Sequence, residues 1–159
     1  MKVKITMKIL FVCYGNVCRS SFAHYYLSSL ALPNIEVASC GYYPIKGRRC
    51  PSEAIEAGER IGVDLRDHHS MVITNKMIQD ANTIFTFDED NFYTVTKEFP
   101  SAKSKIFRIS SLNTNAPVEI NDPYCNDVDY FYTIYMQIKS LLDDFAINIC
   151  KNKSVAEVI

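Results

Sequence analysis

A cysteine and an arginine frame a short segment whose residue types suit chemistry on a phosphate group. Cys13 and Arg19 are separated by five residues, among them Gly15 and Asn16. A loop of this length can turn its backbone N–H groups inward, and a helix that starts at its end adds further donors for an anion. This positive potential stabilises a Cys13 thiolate, and the planar Arg19 guanidinium binds two phosphate oxygens. The segment therefore predicts a phosphate-binding loop with Cys13 as the nucleophile.

The hydrolysis of a phosphate ester also needs an acid, and segment 121–124 supplies a candidate. The alcohol leaves more readily when its oxygen is protonated, and the second step needs a base that activates water. Asp122 can serve both steps in turn, and Pro123 restricts the backbone before it, which favours an ordered loop. An Asp-Pro pair alone indicates only a turn. Combined with the upstream loop and the long helix that follows, it predicts Asp122 as the general acid and base.

The segments around these residues alternate between short apolar runs and helical patterns. The apolar run at 9–12 precedes Cys13 directly and is typical of a strand buried on both faces. Ser52 is expected to cap one helix and Gly62 to end it. The other predicted elements are strands at 35–38, 83–87 and 105–109, and helices at 20–32, from 74 or 75, at 88–97, and over a final stripe from Phe131 to Ile149. This alternation predicts an α/β fold with a mostly parallel sheet and helices on both faces.

Length and composition favour a single domain over 1–159. The chain has 159 residues, of which 48% are hydrophobic, and a formal net charge of −1. A charge so close to neutral gives no indication of nucleic acid as a partner, and no apolar run reaches the roughly 18 residues that a membrane span needs. We expect residues 1–6 to be an N-terminal extension and residues 152–159 to form a flexible tail.

The six cysteines are interpreted as free thiols rather than as a disulfide framework. The apolar run at 9–12 is too short for an export signal, and a core of this size needs no disulfides, so a reducing, cytoplasmic location is expected. Cysteines and histidines do not occur at the spacing of zinc ligands. The sequence therefore predicts neither a metal nor a cofactor.

The segment 13–20 resembles the phosphate-binding loop of the low-molecular-weight protein tyrosine phosphatases. That family carries Cys-x-Gly-Asn-x-Cys-Arg-Ser after its first strand, and this chain matches the whole pattern, with a resemblance that extends over residues 7 to 150. The resemblance implies a single-domain, three-layer fold with a four-stranded parallel sheet flanked by helices. It also implies hydrolysis of phosphotyrosine monoesters in proteins or peptides through a cysteinyl-phosphate intermediate. Segment 39–47 is most similar to bacterial members that act on tyrosine kinases, which makes such a kinase a candidate substrate.

The resemblance also implies roles for individual residues. Asp122 stands at the place of the family's Asp-Pro-Tyr acid, and polar residues are expected to support the loop through hydrogen bonds, namely Asn16 and Ser20 within it, Ser39 and His68. In the family, the cysteine at the place of Cys18 forms a disulfide with the nucleophile and protects it from irreversible oxidation. The expected substrate-binding residues are Tyr14, Gly15, Asn16, Val17, Cys18, Ser20, Tyr42 and Tyr124, with Tyr43 as the alternative to Tyr42 and with Ser20 also donating to the Cys13 thiolate.

Four positions depart from the family pattern. Ser21 stands where the family usually has proline, in a first helical turn that favours proline without requiring it. Tyr14 occupies a variable position, and its ring would stack beside an aryl group and obstruct a small guanidine pocket. Cys125 replaces a second tyrosine that many members carry, and Met71 replaces a common arginine.

Three other functions remain as alternatives on this fold. Arsenate reductases pass electrons through two more cysteines, and no cysteine lies between Cys50 and Cys125. A non-catalytic phosphotyrosine-binding module would be expected to lack Cys13 or Asp122, and both are present. Phosphoarginine hydrolysis is the nearest alternative among the enzymes.

Overall fold

Four parallel strands form the centre of the molecule in the computed structural model, which describes residues 5–151 and 155–159. The strands are β1 (Met7–Cys13), β2 (Ile35–Gly41), β3 (Thr83–Thr86) and β4 (Ile106–Arg108). They lie in the order β2-β1-β3-β4, and every neighbouring pair is parallel. The chain runs from β1 to one neighbour and later returns to the other, so the carboxyl end of β1 is the point where a parallel sheet leaves a crevice for a ligand.

Helices cover both faces of the sheet. They are α1 (Arg19–Ser29), α2 (Ser52–Ile61), α3 (Asn75–Asp80), α4 (Glu89–Glu98), α5 (Val128–Cys150) and α6 (Val155–Val158). Two short 3₁₀ helices, Pro100–Lys105 and Ile109–Leu112, flank β4. The four-stranded parallel sheet flanked by helices confirms the predicted fold class.

The alternation of side chains along β1 divides the core in two. Ile9 and Phe11 pack in a cluster that includes residues of α1, α2 and α5. Leu10 and Val12 belong to a second cluster with residues of α3 and α4. Since successive side chains of a strand point to opposite faces, a run of four apolar residues fills both cores, as predicted for a strand buried on both sides.

The observed ends of α1 and α2 agree with the predicted ends in one case and differ in two. Gly62 ends α2 in a left-handed conformation, with φ of 88°, as expected. Ser52 does not cap α2, because Pro51 holds the cap position and Ser52 is the first helical residue. The first helix ends at Ser29, earlier than predicted, and Ala31 follows with a positive φ of 49°.

The structure describes only part of the predicted N-terminal extension and of the predicted C-terminal tail. Residues 1–4 and 152–154 lie outside the described residues. Val155–Val158 is helical, and Val158 and Ile159 pack against the core cluster around α5. The flexibility predicted for 152–159 and the extension predicted for 1–6 stay predictions. Among the described helices, none is long and apolar enough to cross a membrane.

Candidate active site

The segment 13–20 forms a loop at the carboxyl end of β1, and α1 starts within it at Arg19. The end of β2 packs directly against this loop. A Cβ atom on Gly41 would lie 2.6 Å from the Tyr14 carbonyl oxygen and 2.9 Å from the Asn16 nitrogen, so only glycine fits there. Beyond Gly41, the Tyr43 N–H donates to the same Tyr14 carbonyl oxygen over 2.8 Å. The loop is therefore held between β2 and the start of α1.

The sulfur of Cys13 lies at the base of the loop and faces two hydrogen-bond donors. Ser20 Oγ is 2.9 Å from Cys13 Sγ, and the Asn16 N–H donates to the sulfur over 3.3 Å. Asn16 Nδ2 donates to Ser20 Oγ over 2.9 Å, so the hydroxyl proton of Ser20 is directed elsewhere. Its possible acceptors are the sulfur and the more distant Cys40 carbonyl at 3.5 Å. The arrangement orients the Ser20 hydroxyl toward the Cys13 sulfur.

Asn16 connects the loop to the segment that follows α2. It is fully buried and adopts a left-handed conformation with φ of 54°, which asparagine tolerates better than most residues. Its Oδ1 accepts from the Met71 N–H over 2.9 Å. Its backbone carbonyl accepts from His68 Nε2 over 2.7 Å, which identifies Nε2 as the protonated nitrogen. Asn16 therefore joins the His68 segment to the Ser20 hydroxyl, which faces the Cys13 sulfur.

Arg19 is the largest fully buried side chain of the site, with 1% of its surface exposed. Its Nη1 donates to Asp88 Oδ2 over 2.6 Å and to the Ile120 carbonyl over 2.7 Å. Its Nη2 lies 3.3 Å from Asp122 Oδ2. Burial by itself would lower the pKa of Arg19, but the nearby Cys13, Asp122 and Asp88 raise it, so the guanidinium remains charged.

The Arg19 Nε atom is different, because it is buried and has no hydrogen-bond partner among the described residues. A buried donor without a partner is costly, and such a group indicates a place for an acceptor. The other end of the guanidinium is held by Asp88 and Ile120, so the orientation of this donor is set by the protein. Arg19 therefore has one donor that remains available for an acceptor.

Asp122 stands at the edge of the same cleft, with its side chain 41% exposed. Its Oδ1 accepts from the Tyr124 N–H over 3.1 Å, which stabilises the turn around Pro123. The preceding Ile120 is tied to the end of β3, because its N–H donates to the Phe87 carbonyl over 2.8 Å. The predicted acid thus reaches the loop from the far end of the chain, partly open to solvent and close to Arg19.

The cleft above the loop has a volume of about 190 Å³. Its walls include two tyrosine rings, Tyr43 and Tyr124, and the charged side chain of Arg48. The remaining lining residues are Cys13, Tyr14, Gly15, Val17, Cys18 and Asp122. Cys13, Asp122 and two tyrosine rings therefore line the same cleft.

Several predicted residues lie elsewhere than expected. Tyr42 does not line the cleft, because its ring packs on the second core cluster and its hydroxyl accepts from Asn91 Nδ2 over 3.0 Å, which leaves Tyr43 as the wall. Asn16 and Ser20 are fully buried within the loop, so their side chains stabilise it and do not line the cleft. Ser39 pairs with His24, with 2.9 Å between Oγ and Nδ1, and does not bond to the loop.

Buried thiols surround the base of the loop. Burial raises the pKa of Cys18, and the neighbouring Cys13 adds to the effect. Burial likewise raises the pKa of Cys50 to about 11. The Cys18 carbonyl accepts from the Tyr135 hydroxyl over 3.1 Å and from the Ser21 hydroxyl over 3.0 Å. Ser21 therefore supports the first turn of α1 through its hydroxyl, at the position where proline is usual.

The positions of Arg48 and Asp88 at the site were not predicted from the sequence. Arg48 belongs to a polar segment with three cations, and nothing in its spacing marks it as the one that lines the cleft. Asp88 was predicted as the first residue of a helix at 88–97. It caps α4 by accepting from the Asn91 N–H over 2.7 Å and holds Arg19 with its other oxygen. A cap residue directly after β3, at the carboxyl edge of the sheet, was the signal that could have placed it.

Comparison with known proteins agrees with this geometry. Residues 8–155 match the sequence pattern of the family described as low molecular weight phosphotyrosine protein phosphatase. The chain is 28% identical over 137 residues to the low molecular weight protein-tyrosine-phosphatase Ptp of Acinetobacter johnsonii, covering 86% of this chain and 94% of that protein. It is 27% identical over 139 residues to a protein-arginine-phosphatase of Geobacillus stearothermophilus, covering 87% of this chain and 93% of that protein.

A solved structure gives the same result at the level of the fold. The YwlE arginine phosphatase of Geobacillus stearothermophilus superposes with a TM-score of 0.86 and 25% identity, over 92% of this chain and 94% of that one. The family match spans nearly the whole chain and includes the loop, the Asp122 segment and the final helix. The chain therefore belongs to the low molecular weight phosphotyrosine protein phosphatase family.

Proposed function

We propose that this protein hydrolyses phosphotyrosine monoesters in proteins or peptides through a phosphate ester on Cys13. The observation that carries the proposal is that Cys13 and Asp122 line one cleft, while the buried Arg19, whose Nε has no partner among the described residues, lies 3.3 Å from Asp122. Each group has a separate task in phosphoryl transfer: the sulfur as nucleophile, the guanidinium as oxyanion donor and the carboxyl as acid.

In the first step, Cys13 Sγ attacks phosphorus and the bond from phosphorus to the tyrosine oxygen breaks. The loop N–H groups and Arg19 bind the three phosphate oxygens, on which charge is spread in the transition state. Asp122, protonated at this stage, gives its proton to the leaving phenolic oxygen. Its position at the open edge of the cleft suits a leaving group that departs toward solvent.

In the second step, water attacks phosphorus and the bond from phosphorus to sulfur breaks. Asp122, now ionised, accepts a proton from the water, and Cys13 leaves as a thiolate. The Ser20 hydroxyl and the Asn16 N–H, which face the sulfur at 2.9 and 3.3 Å, stabilise the charge that returns to it. Inorganic phosphate is then released, and the enzyme is restored.

The walls of the cleft support an aryl substrate. Tyr14 is half-exposed, and its ring makes an edge contact with the ring of Tyr43, with 5.4 Å between the centroids. Tyr124 is also half-exposed at the same cleft. Such rings favour stacking with a phenyl group. Phosphoarginine hydrolysis is the second candidate, because relatives named arginine phosphatases match the chain as well as those named tyrosine phosphatases.

The experiment that tests the proposal is a panel of one peptide sequence carrying phosphotyrosine, phosphoserine or phosphoarginine. The proposal predicts the highest kcat/KM for the phosphotyrosine peptide. A higher value for the phosphoarginine peptide would assign the second candidate function. Tight binding without phosphate release would indicate a non-catalytic module, and arsenate-dependent oxidation of thiols would indicate a reductase.

We further propose that Cys18 protects the nucleophile and that the protein works in a reducing, cytoplasmic environment. Peroxide converts the Cys13 thiolate to a sulfenic acid, and the Cys18 thiol displaces water from it to form a disulfide. Cys18 supports this role because it is buried in the same loop and lines the same cleft. All six cysteines are free thiols, as a reducing location requires. A phosphorylated tyrosine kinase is one candidate substrate.

A further inference from the structure

Arg48 holds a position in the cleft that the two catalytic steps do not use. It lines the cleft together with Tyr43, and its guanidinium lies over the Tyr43 ring, 4.4 Å from the centroid. On the other side it borders the phosphate-binding loop, since a Cβ atom on Gly15 would lie 3.1 Å from Arg48 Nη1. The guanidinium is thus placed between the aromatic wall and the outer surface of the loop.

The backbone around Arg48 is held in place by one buried serine. Ser70 is 1% exposed, and its hydroxyl accepts from the Arg48 N–H over 2.9 Å. Its own N–H donates to the Arg48 carbonyl over 2.9 Å, and its carbonyl accepts from the Gly47 N–H over 2.7 Å. With the backbone clamped and the side chain stacked on a ring, little conformational freedom is left for Arg48 to lose when it binds a ligand.

The charge of Arg48 is not balanced within the described part of the chain. Of the two carboxylates next to the loop, Asp88 pairs with Arg19 over 2.6 Å and Asp122 lies 3.3 Å from it, while neither pairs with Arg48. The neighbouring Arg49 points away, toward the Arg66 carbonyl and the His69 ring. Arg48 is therefore the cation of its segment that faces the cleft, half-buried and available for an anion.

We propose that Arg48 is a specificity-determining residue that binds a carboxylate next to the phosphotyrosine of the substrate. The phosphate itself is taken by the loop and by Arg19, so the anion that reaches Arg48 comes from a neighbouring Asp or Glu side chain. The same cation repels Lys and Arg at that place. This inference rests on the proposed function and defines its substrate class as phosphotyrosine in an acidic sequence.

The test compares kcat/KM for three phosphotyrosine peptides that differ only in the residues flanking the phosphotyrosine, which are Asp, Gln or Lys. We expect the wild type to prefer the acidic over the neutral peptide by up to about 5-fold, the upper end of the range for a solvent-accessible ion pair. Added salt lowers this ratio by screening. Arg48→Gln brings the ratio close to one, and Tyr43→Leu, which removes the ring beneath the guanidinium, lowers it in part.

Arg49→Gln is the matched control, because it removes the same charge from the next residue, whose side chain points away from the cleft. It leaves the ratio at the wild-type value. Equal rates of the wild type on all three peptides would overturn the role of Arg48 while the proposed function stands. The same would follow if Arg48→Gln slowed all three peptides by one factor, since Arg48 would then act on the phosphate. Failure to hydrolyse any of the peptides overturns both.

Discussion

Replacement of Asn16 separates the strain of the phosphate-binding loop from its hydrogen bonds. Asn16 is fully buried, has φ of 54°, and makes two side-chain hydrogen bonds, to Ser20 Oγ and from the Met71 N–H. Asn16→Ala removes both bonds and keeps a Cβ atom in a left-handed conformation. Asn16→Gly removes the same bonds without the steric penalty. The pair of variants therefore differs in backbone strain and in the conformational freedom of the unfolded chain.

The expected losses follow from these contacts. Two hydrogen bonds contribute about 1–3 kcal/mol together. A left-handed alanine adds about 1–2 kcal/mol, whereas the greater freedom of glycine in the unfolded chain adds about 0.5–1 kcal/mol. The free energy of unfolding should thus fall by about 2–5 kcal/mol in Asn16→Ala, and Asn16→Gly should be more stable than it by about 0.5–1 kcal/mol. Both variants release the Ser20 hydroxyl, so kcat should drop by up to about 10²-fold through misplacement of the nucleophile.

The assay is urea unfolding of the wild type and both variants, with kcat measured on one aryl phosphate. Asn16→Asp serves as a third variant, because it keeps the acceptor for Met71 and loses only the donor to Ser20. It should be more stable than Asn16→Ala, yet impaired in kcat by a negative charge beside the sulfur. Equal stability of the Gly and Ala variants, or full activity in both, would refute the reasoning about the loop.

Three further predictions concern the acid, the thiols and a buried histidine. Asp122→Asn should lower kcat on phosphotyrosine by about 10²- to 10⁴-fold, and less on aryl phosphates with good leaving groups. Mild peroxide should inactivate the enzyme reversibly, and mass spectrometry should find a Cys13–Cys18 disulfide. Burial and the neighbouring His68 lower the pKa of His24 from 6.5 to about 4, so the unfolded chain takes up a proton first. The free energy of unfolding should therefore fall by up to about 3 kcal/mol as the pH drops from about 6.5 to about 4, and His24→Gln should flatten this slope.

Each of these predictions has a result that contradicts it. Uniform activity of Asp122→Asn across leaving groups would require another acid. Sulfinic or sulfonic acid as the only oxidised forms of Cys13 would remove the protective role of Cys18. An unchanged pH slope in His24→Gln would place the titration elsewhere, and His68 is the first group to examine because burial lowers its pKa as well.

The sequence was sufficient to predict the sheet and the reactive loop because both depend on local patterns. A four-residue apolar run before Cys13 requires a strand with two buried faces, and the loop pattern requires a helix after it. The exact ends of the helices could not be predicted from these patterns. The first helix stops at Ser29 instead of residue 32, since the left-handed Ala31 follows, and Pro51 takes the cap position that Ser52 was expected to hold.

The choice between neighbouring side chains depended on packing that no pattern records. Tyr42 and Tyr43 are neighbours in a bend that follows β2, where one ring packs on the core and the other lines the cleft, and the sequence leaves the assignment open. Ser39 was expected at the loop, but its hydroxyl meets His24 of α1. Asp88 gains its position from its contact with Arg19, which lies far from it in the chain, and Arg48 gains its position from the Tyr43 ring and from Ser70.

The most direct test of the central claim is identification of the residue that carries phosphate during turnover. Asp122→Asn should accumulate the intermediate, because an activated aryl phosphate loads the enzyme without the acid while the second step lacks its base. After rapid quenching, peptide mass spectrometry should find phosphate on Cys13, and Cys13→Ser should show no turnover. Phosphate on a different residue, or turnover that persists in a clean preparation of Cys13→Ser, would contradict the account.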